Sequence, residues 1–154
     1  MPSLNRYTLW TLILAGALAT VAFDAVGLCV SPLLGFPTLE TVKLPGSVVE
    51  TLTGAAHPPV AYLVHLLTGL VAFPVGWLFI ARPLATRLAP GLPWPVVAMI
   101  YGGALWVFAL FAMAHLVVGL PAFLGFAGVA WVALAAHVVF ALILAAVVRW
   151  RHPR

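Results

Sequence analysis

Four ionisable side chains interrupt the long apolar stretches of this sequence: Asp24, His65, His115 and His137. An ionisable group placed in lipid is costly unless it is paired, so each of these residues is a candidate functional residue. Imidazole nitrogens bind metals or carry protons, and a carboxylate accepts a proton or binds a cation. Their chemistry therefore raises three hypotheses: cofactor ligation, proton or ion movement, and hydrogen bonding that joins helices.

The cofactor hypothesis is that intramembrane histidines ligate haem or another tetrapyrrole. Neutral imidazole is a usual axial ligand, and helical bundles hold such cofactors between facing helices. His65 pairs with His115 if both lie at one depth, and His65 with His137 is the alternative pair. The sequence contains no Cys-x-x-Cys-His haem-attachment motif. Haem is thus a candidate, and the identity of any cofactor is left unknown.

The proton hypothesis and the structural hypothesis use the same residues. Asp24 and His65 form the candidate intramembrane polar or proton site, since a carboxylate and an imidazole can pass or share a proton. In the structural hypothesis, Asp24 is hydrogen-bonded to His65 or to backbone, and His137 bonds across helices. The protein is then a non-enzymatic accessory or assembly subunit of a larger respiratory or photosynthetic membrane complex.

Catalytic and metal-binding motifs are missing from the sequence. It has no His-Glu-x-x-His, no phosphate-binding loop and no Ser-His-Asp order with a nucleophile motif. The single cysteine, Cys29, excludes an internal disulfide and a multi-cysteine metal site, and we expect it to be a small buried residue. The sequence therefore predicts no enzyme, no catalytic residue and no metal site.

Composition indicates that the chain spans a membrane. Of its residues, 65% are hydrophobic and only 6% are charged, and the mean hydropathy is +1.20. A surface with so few charges must face lipid rather than water. The net charge of +4 does not indicate nucleic-acid binding, because the basic residues lie at the ends of apolar segments rather than in a patch.

The apolar segments predict an all-α, four-helix membrane bundle with up-down-up-down topology in a single domain, 1–154. Each segment is about the 20 residues that a span requires, and Pro, Gly or Arg marks its ends. An external loop, 31–59, contains short amphipathic turns, with a capping box formed by Ser47 and Glu50. The predicted spans are 8–30, 60–81, 95–118 and 123–148.

Basic residues are distributed unequally between the two predicted sides. The side that holds both termini and the second loop carries six of them, and the other side carries only Lys43. Because positively charged loops stay in the cytoplasm, both termini are predicted to be cytoplasmic. The six are Arg6, Arg82, Arg87, Arg149, Arg151 and Arg154.

Depth estimates place the polar groups in the bundle. At about 1.5 Å per residue, Asp24, His65 and His115 fall in one shallow external layer, and His137 lies deeper, about 20 Å from the outer face. Small residues at three- and four-residue spacing share a helix face with Asp24, with His65 and with His137, which predicts that these faces point inward. We therefore expect Asp24 and His65 to face each other.

Five stretches of the sequence carry a family resemblance: 19–27 (ATVAFDAVG), 62–69 (YLVHLLTG), 76–83 (GWLFIARP), 101–106 (YGGALW) and 125–137. Together they resemble a family of small, uncharacterised bacterial inner-membrane proteins with four helices. The resemblance implies the four-helix architecture and a bacterial inner-membrane location, and it implies no activity and no site residue. The partners predicted from the apolar composition and the accessory role are the lipid bilayer and other membrane subunits.

Overall fold

The fold is helical throughout the described part of the chain. A computed structural model describes residues 5–151, and no strand occurs among them. Four helices are long and apolar enough to cross a membrane, and a shorter one lies between the first two. In chain order the helices are α1 (Arg6–Leu33), α2 (Lys43–Thr53), α3 (Pro58–Leu88), α4 (Trp94–Val117) and α5 (Gly128–Arg151).

Helix α5 is the central helix of the bundle. It packs against α1 on one side and α4 on the other, and α3 packs mainly against α1. In its most hydrophobic stretch 50% of the residues are buried, whereas the corresponding stretches of the other long helices are 22–28% buried. A stripe of small residues makes this close packing feasible, because lipid-buried helices associate where their backbones approach. The stripe is Ala130, Ala133, His137, Ala141 and Ala145, all buried as expected.

Two helix crossings depend on glycine. At the α1–α3 crossing, a Cβ on Gly16 would lie 2.7 Å from the carbonyl oxygen of Gly69. At the α4–α5 crossing, a Cβ on Gly102 would lie 2.7 Å from the carbonyl oxygen of His137. Real Cβ atoms do not come so close to backbone, so only glycine permits either approach.

The long helices continue through three prolines, and the sequence analysis takes two of them, Pro32 and Pro83, as stops. Wider π-helical turns cover Val26–Val30, Thr68–Ala72 and Trp77–Ala81, each ending two residues before Pro32, Pro74 or Pro83. A proline ring crowds the carbonyl one turn earlier and has no N–H to donate. A wider turn accommodates both defects, so α3 runs on to Leu88 rather than ending at residue 81.

The first wide turn also bears on Cys29. We expected this residue to be buried, but it is exposed. Gly27 and Ser31 are the buried residues of this segment. Residues two positions away from them point to the opposite side of a helix, so Cys29 faces outward.

Helix α2 forms the amphipathic part of the 34–57 connection. The helix begins at Lys43, so Ser47 lies inside it and the predicted capping box is wrong. The backbone carbonyl of Ser47 instead accepts a hydrogen bond from the Thr51 hydroxyl, at 2.8 Å. Helix α2 packs on α3 and on the last part of α4, with Val49 buried. It therefore folds over one end of the bundle.

A left-handed turn precedes α5. Phe123, Leu124, Gly125 and Phe126 all have positive φ, between 50° and 64°. This conformation costs roughly 1–2 kcal/mol for each L-residue other than glycine. It interrupts the apolar run, so α5 begins at Gly128 instead of residue 123.

Candidate functional site

The structure brings Asp24 of α1 and His65 of α3 into contact. His65 Nε2 lies 3.1 Å from Asp24 Oδ1 and 3.4 Å from Oδ2, so the imidazole N–H donates to the carboxylate. The side chains are 13% exposed for His65 and 32% exposed for Asp24. The carboxylate is thus paired inside the bundle but remains accessible at its edge.

Phe23 connects this pair with His137. Its ring packs edge-on against the His137 imidazole, with 4.9 Å between centroids, and its centroid is 6.3 Å from that of His65. His137 is only 5% exposed, and its Nδ1 donates to the carbonyl oxygen of Ala133 at 2.7 Å. In the neutral tautomer that this bond selects, Nε2 carries the lone pair. Ala133 belongs to the same helix, so the expected bond from His137 across helices is wrong.

The polar layer differs from the layer predicted from sequence. With α5 starting at Gly128, His137 lies about 14 Å from the beginning of its helix, close to the depths of Asp24 and His65, which are about 14 Å and 10 Å from their helix ends. His115 lies only about 3 Å from the end of α4. His137 therefore belongs to the layer, and His115 is the residue set apart.

His115 belongs to an aromatic cluster at the end of α4. Its Nδ1 donates to the carbonyl oxygen of Leu120 at 2.7 Å, which closes the turn after the helix. Its ring centroid is 5.5 Å from that of Phe111. Four further rings, which sequence reasoning did not join to His115, stack around this point through the left-handed turn: Trp106, Phe123, Phe126 and Trp131.

Thr20 also belongs to the polar layer, although the sequence analysis does not make it a candidate site residue. It is 4% exposed and lies one turn before Asp24 on the inward face of α1. Its Oγ1 is the one buried side-chain oxygen or nitrogen among residues 5–151 that lacks a hydrogen-bond partner. A Cβ on Gly69 of α3 would strike this oxygen. The hydroxyl therefore fills the space that glycine leaves at the helix crossing.

The contacts of His65 and His137 restrict how a cofactor could bind between them. In the described part of the chain, no three His, Cys, Asp or Glu residues cluster as a metal site would require. The Nε2 of His65 is directed at Asp24, and Phe23 packs on both His65 and His137. A macrocycle between these two imidazoles requires Phe23 to move. Haem ligation by His65, His115 or His137 stays an alternative hypothesis.

Other polar groups of the spans also join helices. The Tyr101 hydroxyl of α4 donates to the carbonyl oxygen of Phe73 in α3 at 2.7 Å. The Trp106 indole of α4 donates to the carbonyl oxygen of Ala130 in α5 at 2.8 Å. Both bonds use carbonyls of neighbouring helices, so they hold the helices in register.

No protein-family model, curated protein or solved structure matches this chain. Its function is therefore inferred from its own residues and their contacts.

Proposed function

We propose that this chain is a non-enzymatic integral membrane protein, an accessory or assembly subunit of a larger respiratory or photosynthetic complex. In this proposal the four long helices cross a bacterial inner membrane up-down-up-down, with both termini in the cytoplasm. Their most hydrophobic stretches have mean hydropathies of 2.0 to 2.6, which supports insertion. The basic residues at three helix ends support the orientation.

One observation carries the accessory role. The four ionisable side chains that interrupt the apolar stretches are hydrogen-bonded inside the protein: Asp24 to His65, His115 to Leu120 and His137 to Ala133. Bonds of this kind satisfy polar groups where no water is present. The Asp24–His65 bond also joins α1 to α3, as a structural role requires, whereas the other two bonds lie within α5 and at the end of α4.

The outer faces of α1, α3 and α4 support a role beside other subunits. Large apolar side chains remain exposed along all three, including Val21 (68%), Ile100 (61%) and Leu116 (65%). Such surfaces face either lipid or the helices of a neighbouring membrane protein. A small bundle with three such faces and a shielded central helix is suited to packing at the edge of a larger assembly.

The size of the native particle tests the accessory role. The chain is tagged at its own locus, extracted in mild detergent and separated by native electrophoresis beside the chain purified after overproduction. We expect the native chain to migrate as a particle larger than the purified one. A native chain that migrates with the purified control and shows turnover of its own contradicts the proposal.

A second candidate, proton or cation binding, is favoured by Thr20 and Asp24. A bound water or ion is one way to satisfy a buried oxygen without a protein partner, and Thr20 Oγ1 is such an oxygen one turn from the carboxylate. In vesicles loaded with a pH-sensitive dye, this candidate predicts a proton flux that Asp24→Asn abolishes. Glu50→Gln, which neutralises an exposed carboxylate of α2, is the matched control. Equal flux in Asp24→Asn and the unaltered protein excludes the candidate.

A further inference from the structure

The Asp24 side chain is only partly enclosed by the bundle. It is 32% exposed, whereas the side chain of His65, its partner on α3, is 13% exposed. The N–H of His65 Nε2 reaches both carboxylate oxygens, at 3.1 Å and 3.4 Å. A carboxylate can accept about four hydrogen bonds, so one imidazole N–H fills only part of that capacity. The exposed part of Asp24 is therefore an acceptor directed away from the pair.

The surroundings of this exposed carboxylate are apolar. Val21 and Leu28 lie about one turn before and one turn after Asp24 on α1, and they are 68% and 46% exposed. The apolar stretch continues beyond Asp24 through residues 25–30 (AVGLCV), nearly two more turns of helix. In the proposed membrane placement acyl chains surround this position, and they donate no hydrogen bond. Water and lipid headgroups lie beyond the end of the apolar stretch.

Beside Asp24, α1 exposes a stripe of apolar side chains that we call the α1 stripe. Its members recur at alternating four- and three-residue spacing, which is the spacing along which two helices pack in a left-handed pair. Asp24 lies at the edge of the α1 stripe, next to Ala25 and three residues after Val21. The stripe is Leu14 (37% exposed), Leu18 (47%), Val21 (68%), Ala25 and Leu28 (46%).

Charge complementarity indicates what covers this surface. A carboxylate paired with a neutral imidazole keeps its negative charge, and ionisable groups inside membranes pair with groups of opposite charge. A second copy of this chain in the same orientation lacks such a group, because its seven lysine and arginine residues lie in connections or near helix ends in the sequence. On α3, Arg82 is about 25 Å along the helix from His65. A lysine or arginine at the depth of Asp24 must therefore come from a different chain.

From these features we infer that the α1 stripe is the docking surface for a transmembrane helix of a different subunit, which carries a lysine or arginine at the depth of Asp24. The apolar side chains of that helix pack on the stripe. Its basic group donates to the exposed part of the carboxylate, which His65 holds from the other side. This inference rests on the proposed accessory role, and it names the surface and the chemistry of the partner that the role requires.

Photo-crosslinking in cells tests the docking surface. Benzoylphenylalanine replaces Val21 of the α1 stripe or, as the matched control, Ile100 of α4, which is 61% exposed. After irradiation, mass spectrometry identifies the segment that is attached to each probe. We expect the Val21 probe to attach to a membrane-spanning segment of another polypeptide, with a lysine or arginine within about one turn of the attachment point. Attachment to lipid alone, to a second copy of this chain or to a segment without a basic residue overturns the proposal, as does an equal yield of the same adduct from Ile100.

Charge-removing variants separate recognition of Asp24 from apolar packing alone. Asp24→Asn keeps the shape of the side chain and an acceptor for His65, and it should lower the yield of the Val21 adduct at least about threefold, the lower end of what one polar contact between membrane helices contributes. Glu50→Gln, which neutralises an exposed carboxylate of α2, should leave the yield unchanged. Replacement of the identified basic residue of the partner by glutamine should lower the yield equally, and this variant carries the test if Asp24→Asn does not fold. An unchanged yield in the partner variant overturns the proposal.

Failure of the docking surface and failure of the accessory role are distinguishable. Native electrophoresis of the tagged chain reports the role alone, because a larger particle forms whichever face of the chain meets its neighbour. A larger particle together with lipid adducts at the Val21 probe refutes the α1 stripe as the docking surface and leaves the accessory role intact. A native chain that migrates with the purified control refutes the accessory role and, with it, the docking surface.

Discussion

The Asp24–His65 pair satisfies a carboxylate that would otherwise be costly in lipid. Both carboxylate oxygens lie within 3.4 Å of His65 Nε2, and the two residues come from different helices. Polar contacts between membrane helices contribute modestly, roughly 0.6–2 kcal/mol, because the separated helices also find partners. The pair therefore sets which faces of α1 and α3 meet more than it sets total stability.

A double-mutant cycle on Asp24→Ala and His65→Ala measures this pair. Each single change should lower the free energy of unfolding in detergent, because it leaves the other group unpaired. The double change should be less destabilising than the sum of the single changes by roughly 0.6–2 kcal/mol. Strictly additive effects would show that the contact makes no energetic contribution.

The absorption spectrum tests the role of the three histidines. Because His65 Nε2 is bonded to Asp24 and Phe23 packs on both His65 and His137, we expect no Soret band from protein expressed with ample haem. Oxidised and reduced spectra of the detergent-purified chain provide the measurement. A band that His65→Ala, His115→Ala or His137→Ala abolishes would contradict this expectation and identify that histidine as a ligand.

At the scale of helices, small-residue stripes were predictable and helix ends were not. The inward face of α1 could be predicted because Gly16, Thr20 and Gly27 recur at helical spacing, and all three are buried. The continuation of α3 past Pro83 could not be predicted, because a proline ends a helix unless a wider turn forms before it. Whether that turn forms depends on packing between helices, which a local pattern does not contain.

The start of α5 could not be predicted from the sequence either, and its position changes where His137 lies. The apolar run 123–148 has no break in hydropathy, so the left-handed turn through Phe123 and Phe126 has no signature beyond Gly125. Stacking of Phe123 on Trp106, with centroids 4.8 Å apart, accompanies the strained backbone. This later start places His137 in the same layer as Asp24 and His65.

Adjacent glycines in α4 give a matched test of close helix packing. Gly102→Ala introduces a Cβ 2.7 Å from the His137 carbonyl oxygen and from Val138 Cα, so it should lower the free energy of unfolding by about 1–3 kcal/mol. Gly103→Ala meets nothing within 4 Å and should be neutral or slightly stabilising, since alanine favours helix. Unfolding midpoints in one detergent compare the two. Equal midpoints for both variants would contradict the α4–α5 crossing.

At the scale of the whole molecule, contacts near the chain ends agree with the charge distribution. The Tyr7 hydroxyl donates to the Arg151 carbonyl oxygen at 2.9 Å, and the Arg151 guanidinium lies 4.7 Å from the Tyr7 ring centroid. The beginning of α1 therefore lies beside the end of α5. Arg82 and Arg149 border one cavity, so the later part of α3 is at this end too. Basic side chains from three separate segments thus gather at one end of the bundle.

Cysteine labelling in intact cells tests whether this basic end is cytoplasmic. In a Cys29→Ser background, Ala55→Cys reports the 34–57 connection and Leu88→Cys reports the end of α3, and both positions are exposed. A membrane-impermeant maleimide should label Ala55→Cys from outside and label Leu88→Cys only after lysis, because arginine-rich segments stay in the cytoplasm. Labelling of both variants after lysis is the control for reactivity. Labelling of Leu88→Cys in intact cells would reverse the proposed orientation, and it would place the arginine-lined cavity on the outer face of the membrane.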